Sequence, residues 1–334
     1  MRIKANTLFL AMALIFTLVV TVASNTAVKA DETEKPIIVC TTNILGSLVE
    51  DFLGDQADVV VLAQPGICPA DYDMKPSDIY AVSKAKLLFY HDIRGEYWLD
   101  NLIEASGNQN LTKVKIYGDW NTHEGAKRYI RWTGGNLSNA LSVNLNATIN
   151  SMIATLDAAA EEIKDEADAL DVESFKVVCM NWQSPFVKWV GFDIIGEYGP
   201  PETLSAGFVA NLTATAKKEG VALAIDNLQV GVDFGASLAS EVGAVHVVLT
   251  NFPEAVPKTE NFTQMFRYNA EQLFEGIRIW KTTGELIRET EDLKGQLAVF
   301  QSVTAIAIIV AVVEAVWLYT RRKKPYRRGG SIEK

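Results

Sequence analysis

Short apolar runs that end in polar residues recur along the chain, and a helical periodicity follows most of them. Residues 36–43, PIIVCTTN, form the first such run and read as a buried strand emptying into a loop. A helical pattern from Leu45 to Leu53 stops at Gly54. ADVVVLAQPG is then a second strand closed by Pro-Gly, SDIYAVSKA a helix, and KLLFYHD a third strand. Strands alternating with helices predict a parallel sheet. The alternation breaks at residues 136–170, where apolar spacing is helical and the second half is strongly charged. This is one long helix or two in series, starting near Asn136 after Gly134-Gly135. Strand and helix resume from SFKVVCMNW to AVHVVLTN. The fold class expected is α/β: two α/β lobes with parallel sheets, residues 31–135 and 171–280, joined by a long linking helix over 136–170. Ligands of such sheets bind beyond the carboxyl ends of the strands, here in a cleft between the lobes.

The two ends of the chain follow other patterns. A basic start from Met1 to Lys4, an apolar run from Leu8 to Ala23 and small residues around Val28 to Ala30 predict a signal peptide over residues 1–30, or an uncleaved anchor. Leu297–Tyr319 is long and apolar enough for a transmembrane helix, for which about 20 residues suffice. The basic residues of 321–334 follow at once and belong on the cytoplasmic side, so the bulk of the chain is expected outside the cell membrane, held by one C-terminal pass. Glu314 lies within that pass, near its basic flank. Residues 281–296 are charged and helix-prone with no core stripe, which reads as a stalk.

Residues 31–296 carry 21 Lys+Arg against 39 Asp+Glu, close to −18. Such a field repels nucleic acid and gathers cations. Three cysteines, Cys40, Cys68 and Cys179, are too few for a disulfide framework. Asn110, Asn136, Asn146, Asn211 and Asn261 each begin an Asn-x-Ser/Thr sequon and are candidates for glycosylation in an exported chain. No Ser/His/Asp order, phosphate-cradling glycine loop or paired-histidine motif is present, so a binding protein is expected and not an enzyme.

Four stretches together resemble one family: VCTTNILGSLVEDFLGDQADVVVLAQPG, PADYDMKPSDIYAVSKAKLLFYHD, KKEGVALAIDNLQ and NFTQMFRYNAEQLFEG. In this order and spacing, from Pro36 to Ile279, they resemble the TroA-like (cluster A-I) solute-binding proteins of zinc, manganese and iron ABC importers. The resemblance implies two lobes around a rigid linking helix, a metal in the cleft, and an ABC permease and ATPase as partners. It also implies four metal ligands, and each position holds another residue here. The family's loop histidine falls on Ala70, and the histidine two residues before a tryptophan falls on Ile130, ahead of Trp132. The third ligand falls on Asn181 and the aspartate after the last strand on Asn251. Alanine and isoleucine cannot ligate, and a neutral amide oxygen is a poor zinc ligand, so no ordinary zinc or manganese site is expected.

Other groups near those positions offer other chemistry. Cys68 and Met74 share the first loop, and Cys179 and Met180 precede Asn181. Thiolate and thioether ligands select soft ions such as Cu(I), whereas small buried cysteines are inert. His91, after the third strand, and His123, in a polar loop, are further metal candidates, each also readable as an ordinary structural histidine. A third reading is a small-molecule cleft walled by Trp132, Trp182, Asp71 and Tyr72, with Trp120 and Trp189 close in sequence and Trp189 read as core. The function expected is a membrane-anchored extracytoplasmic binding protein of a metal-type ABC importer. The alternatives are a diverged surface receptor or scaffold, or a binder of a small non-metal solute.

Overall fold

The computed structural model describes residues 35–91 and 93–322. The expected signal peptide and residues 323–334 of the basic tail lie outside them. In the first lobe β1 (Ile37–Thr42), β2 (Asp58–Ala63), β3 (Leu87–Tyr90) and β4 (Thr112–Lys115) form one parallel sheet in the order β2-β1-β3-β4. The second lobe repeats the plan with β5 (Lys176–Met180), β6 (Asp193–Tyr198), β7 (Leu223–Asn227) and β8 (Val245–Leu249), ordered β6-β5-β7-β8. The central strands are runs of Ile, Val and Leu because helices cover both faces of each sheet. Within β1, Ile38 and Cys40 enter one core cluster while Val39 enters another. Within β5, Val177 and Cys179 face one core, and Val178 and Met180 the other.

In each sheet the chain leaves the first strand on one side and returns to add the third on the other. Crevices therefore open between the carboxyl ends of β1 and β3, and of β5 and β7. Helices α1 (Asn43–Leu53), α2 (Pro76–Lys84) and α3 (Leu99–Ser106) belong to the first lobe. The next two, α4 (His123–Leu141) and α5 (Asn146–Leu170), connect the lobes. The second lobe adds α6 (Ser184–Val190), α7 (Ala206–Glu219), α8 (Asp233–Val242) and the start of α9 (Phe262–Arg322).

Of the two alternatives for residues 136–170, two helices in series is the one found. The start expected near Asn136 moves back to His123, where Thr122 Oγ1 accepts the Gly125 N–H at 3.1 Å. Ser142, at φ 57°, turns the chain from α4 into α5. Gly134 is interior to α4 and permits a close crossing: a Cβ there would stand 2.6 Å from Ile149 Cγ1 of α5 and 2.7 Å from Phe52 Cζ of α1. Helix α4 packs on α1, and α5 packs on α6 and α9, so the pair ties one lobe to the other.

Helix α9 runs unbroken for 61 residues, about 90 Å at 1.5 Å per residue. Its first turns pack on β8 and α5. Beyond Ile277 no described residue of α9 is buried, and the expected stalk and the apolar stretch Leu297–Tyr319 continue in the same helix. By length and composition this helix can cross a membrane.

The seat of α9 rests on Gly276, where a Cβ would lie 2.7 Å from Val247 Cγ2 and 2.9 Å from Leu223 Cδ2. Urea denaturation should find Gly276→Ala less stable by about 1–3 kcal/mol through overpacking. Gly284→Ala has nothing within 4 Å of the added carbon and should be neutral or more stable by up to about 1 kcal/mol.

Candidate functional site

Polar residues just past the strand ends meet across the lobes and close the cleft. Asn43, directly after β1, donates Nδ2–H to the Pro253 carbonyl at 2.8 Å. The Trp120 indole donates to the Asn251 carbonyl at 3.0 Å. Asn121 donates Nδ2–H to the Trp182 carbonyl at 2.8 Å and, at 3.5 Å, to Asn251 Oδ1. From the second lobe, Gln229 donates Nε2–H to the Pro65 carbonyl at 2.9 Å. Every one of these donors is neutral, and most of the acceptors are backbone carbonyls.

The donors are held in place within their own lobes. Gln229 Oε1 accepts the Asn251 N–H at 3.1 Å, and its Nε2 also reaches Thr250 Oγ1 at 2.9 Å. Asn269, on α9, receives the Thr250 N–H at 3.0 Å and donates back to the Thr250 carbonyl at 2.8 Å. The Trp120 ring stacks on Phe252 across the seam, with centroids 6.2 Å apart at 15°, and on His91 at 4.8 Å.

His91 is the centre of a buried polar knot in the first lobe. Its Nε2 meets the Thr42 hydroxyl and its Nδ1 meets the Tyr129 hydroxyl at 3.0 Å. The His91 N–H donates to Glu96 Oε2 at 3.0 Å, and Thr41 donates its hydroxyl to the same carboxylate. Burial holds the imidazole down at about 3, so it is neutral at pH 7. Both ring nitrogens are engaged, which makes His91 a structural residue and removes it as a metal ligand. His123 pairs through Nε2 with Asp157 Oδ1 at 2.6 Å and so joins α4 to α5.

The four family ligand positions are scattered in environment. Ile130 is 1 % exposed inside the main core, and Ala70 is half-buried, its carbonyl accepting from the Tyr97 hydroxyl at 3.2 Å. Asn181 is exposed, with its N–H bonded to the Tyr198 carbonyl at 2.9 Å. Only Asn251, 7 % exposed, takes part in the seam. Among the described residues no group of three or more His, Cys, Asp or Glu side chains comes together to hold a metal.

The sulfur site expected from Cys68 and Cys179 is corrected by the second of these residues. Cys179 is fully buried in the core of its own lobe and donates its thiol to the Met180 carbonyl at 3.2 Å. Burial pushes both Cys40 and Cys179 far above the ordinary thiol range, so they stay protonated. The Met180 thioether is also buried and accepts the Trp182 N–H at 3.2 Å. Cys68 is buried in the first loop, its pKa raised chiefly by desolvation, while Met74 is exposed. All three cysteines are free.

The expected aromatic walls divide in the same way. Tyr72 is core, stacked at 4.5 Å on Trp98 and bonded through its hydroxyl to Asp78, so it lines no cleft. Trp132 leans on Tyr117 at 4.5 Å on the first lobe, and Asp71 is exposed. Trp182 stands 40 % exposed with its carbonyl in the seam. Of the sequons, Asn110, Asn136, Asn146 and Asn211 are exposed, whereas Asn261 Oδ1 accepts the Gln264 N–H at 3.0 Å at the start of α9.

Sequence reasoning missed Asn43, Asn121 and Gln229. The available signal was an amide residue placed one to six positions past a strand end. Near the seam, Glu50 and Asp51 of α1 face Glu254 of the second lobe. Partial desolvation, then the charges of Glu50 and Glu254, push Asp51 up to about 6. These like charges work against closure.

Comparison with known proteins places this geometry. Residues 38–136 match the family described as zinc-uptake complex component A, periplasmic. The manganese-binding lipoprotein MntA of Halalkalibacterium halodurans is 31% identical over 77 residues, 23% of this chain and 26% of that protein. The iron ABC transporter substrate-binding lipoprotein MtsA of Streptococcus pyogenes serotype M1 is 29% identical over 98 residues, 28% of this chain and 31% of that protein. The chain thus aligns with only 26% and 31% of the length of these two curated relatives. The Mn-bound periplasmic metal-binding protein of Candidatus Liberibacter asiaticus superposes with a TM-score of 0.63 at 12% identity, covering 73% of this chain and 100% of that one. A ZnuA crystal structure superposes at 0.60 with 18% identity, over 73% and 100%. These likenesses show the fold: two lobes of the same architecture as in those two structures.

A neutral buried His91 fixes the sign of one pH dependence. Its folded pKa, about 3, lies below the unfolded value near 6.5, so the unfolded chain binds the proton first. Its contribution is complete above about pH 6.5 and is lost as pH falls toward about 3. Urea midpoints measured from pH 7.5 to 4.5 should fall, and His91→Gln should flatten that slope by about one proton. An unchanged slope would show that other groups carry the acid sensitivity.

Proposed function

We propose that this chain, which carries a zinc-uptake component A domain on a two-lobed metal-binding-protein fold, is the membrane-anchored extracytoplasmic binding component of a metal-type ABC importer. The C-terminal helix is its tether through Leu297–Tyr319, and a permease with its ATPase is its partner. The observation that carries this reading is the full two-lobe superposition at a TM-score of 0.63 together with the apolar helix leaving the second lobe. The role is binding and delivery, not catalysis or nucleic-acid recognition.

The cargo, on this reading, is an uncharged, hydrogen-bonding solute in place of the metal named for several relatives. Support comes from the chemistry of the seam, where amides and aromatic edges meet and one family ligand position, Asn251, takes part. Both amide atoms of Gln183 and Nδ2 of Asn227 are buried without a partner, beyond the carboxyl ends of β5 and at the end of β7. Orphaned polar atoms of this kind cost about 1–3 kcal/mol each and are the groups a polar ligand would satisfy when the lobes part. A site of family-type zinc or manganese, or of Cu(I) held by Cys68 and Cys179, has no comparable support, since Cys179 is sealed within its lobe.

Two measurements test this. Calorimetric titration of the chelator-treated protein with Zn²⁺ and Mn²⁺ should give no tight stoichiometric binding. Small-angle scattering should give the same radius of gyration with and without chelator, and a larger one for Asn121→Ala combined with Gln229→Ala. Contraction of the parent on adding either ion would sink the metal-independent reading. Association with no permease in native membranes would favour the surface receptor or scaffold.

A further inference from the structure

Where α9 leaves the second lobe, the charged stretch read as a stalk without a stripe does carry an apolar seam. Ile279, Leu286, Leu293 and Phe300 recur every seven residues and are all exposed, 45–69 %. Thr283, Thr290 and Leu297 fall four residues after the first three of these and complete the second line of a heptad seam. At 100° per residue these positions form one stripe that drifts slowly around the helix, the pattern that draws two helices into a left-handed supercoil. Arg288, Glu291 and Asp292 lie on the opposite face.

The two charges beside the seam decide what covers it. Glu289 lies on one flank and Lys294 on the other, five residues later. In a parallel pair of identical helices the first flank of one strand meets the second flank of its partner at that offset, so Glu289 of each copy faces Lys294 of the other, twice per pair. Helix propensity points the same way. Thr282, Thr283, Gly284, Thr290 and Gly295 are poor helix formers, yet α9 is continuous through them, and a packed apolar stripe is what ordinarily stabilises such a segment.

We propose that α9 pairs with α9 of a second copy of this chain, in parallel, along the seam from Ile279 to Phe300. The parallel sense rests on the membrane-anchor reading, which orients both copies alike. The pairing itself rests on the heptad and the charge placement.

Cysteine cross-linking in membranes tests it directly, because the native Cys40, Cys68 and Cys179 are all buried. Full-length chain bearing Leu293→Cys should form a disulfide-linked species of twice the chain mass on mild oxidation, and Asp292→Cys, on the far face, should not. Lys294→Glu placed on Leu293→Cys should lower the linked yield about fivefold by turning two attractive contacts repulsive. Adding Glu289→Lys should restore it. Equal linking at positions 292 and 293, a linked product of other mass such as a permease subunit, or no linking while the chain stays in the carbonate-washed membrane fraction would each overturn the pairing. Loss of the chain from that fraction, with linking retained, would overturn the anchor and leave the pairing standing.

Discussion

Parallel strands deliver their terminal polar groups to one end of a sheet, and two sheets that face each other there must satisfy those groups or bury them unpaired. This requirement governs the centre of the molecule. A buried amide or carbonyl without a partner costs about 1–3 kcal/mol, while a pair that is made returns about 1 kcal/mol net. Asn43, Asn121, Trp120 and Gln229 meet the requirement with neutral donors aimed at carbonyls of the opposite lobe. A charged ligand set would need an ion to offset its desolvation on closing. An amide set does not, so this cleft can close on itself. The like charges of Asp51, Glu50 and Glu254 press the other way.

The order of strands and helices was legible because burial on both sheet faces forces uninterrupted runs of Ile, Val and Leu, which no other element of this length requires. The same physics made the sulfur site illegible. Cys40 and Cys179 stand inside strands, and a strand covered on both faces has no side open to a cleft. Only residues past the strand end can line one. The seam bonds join positions 131, 61, 164 and 210 residues apart, and no local pattern encodes such a meeting. Only the start of the linking region was misplaced, for a local reason: Gly134-Gly135 resembles a helix boundary, but Gly134 is small because three helices converge there.

His91 shows how a residue type suited to metal binding becomes structural. A neutral imidazole with both nitrogens engaged by Thr42 and Tyr129 has no lone pair to offer, and its burial against Trp120 resists protonation. The ring instead transmits the position of β3 to the seam, since Trp120, stacked on it, donates across to the second lobe. A change in the first lobe's knot is therefore felt at the interlobe bond one ring away.

Helix α9 continues that chain of contacts outward. Its Asn269 holds Thr250, which helps orient Gln229 in the seam, and ten residues on, the same helix leaves the lobe. The exit direction is set by packing at Gly276 and by Lys281, which donates to the Leu170 carbonyl at 2.9 Å and lies over the Phe175 ring at 4.9 Å. The exposed pairs of Arg278 with Glu166, Glu271 and Glu275 add little energy but share that location. One continuous helix thus reaches the cleft through its first turns and carries the apolar stretch Leu297–Tyr319 at its other end. Asn269 and Thr250 belong to the same lobe, so movement of the second lobe about the seam carries the first turns of α9 with it. The packed start of α9 therefore sets the direction in which its exposed part leaves the second lobe.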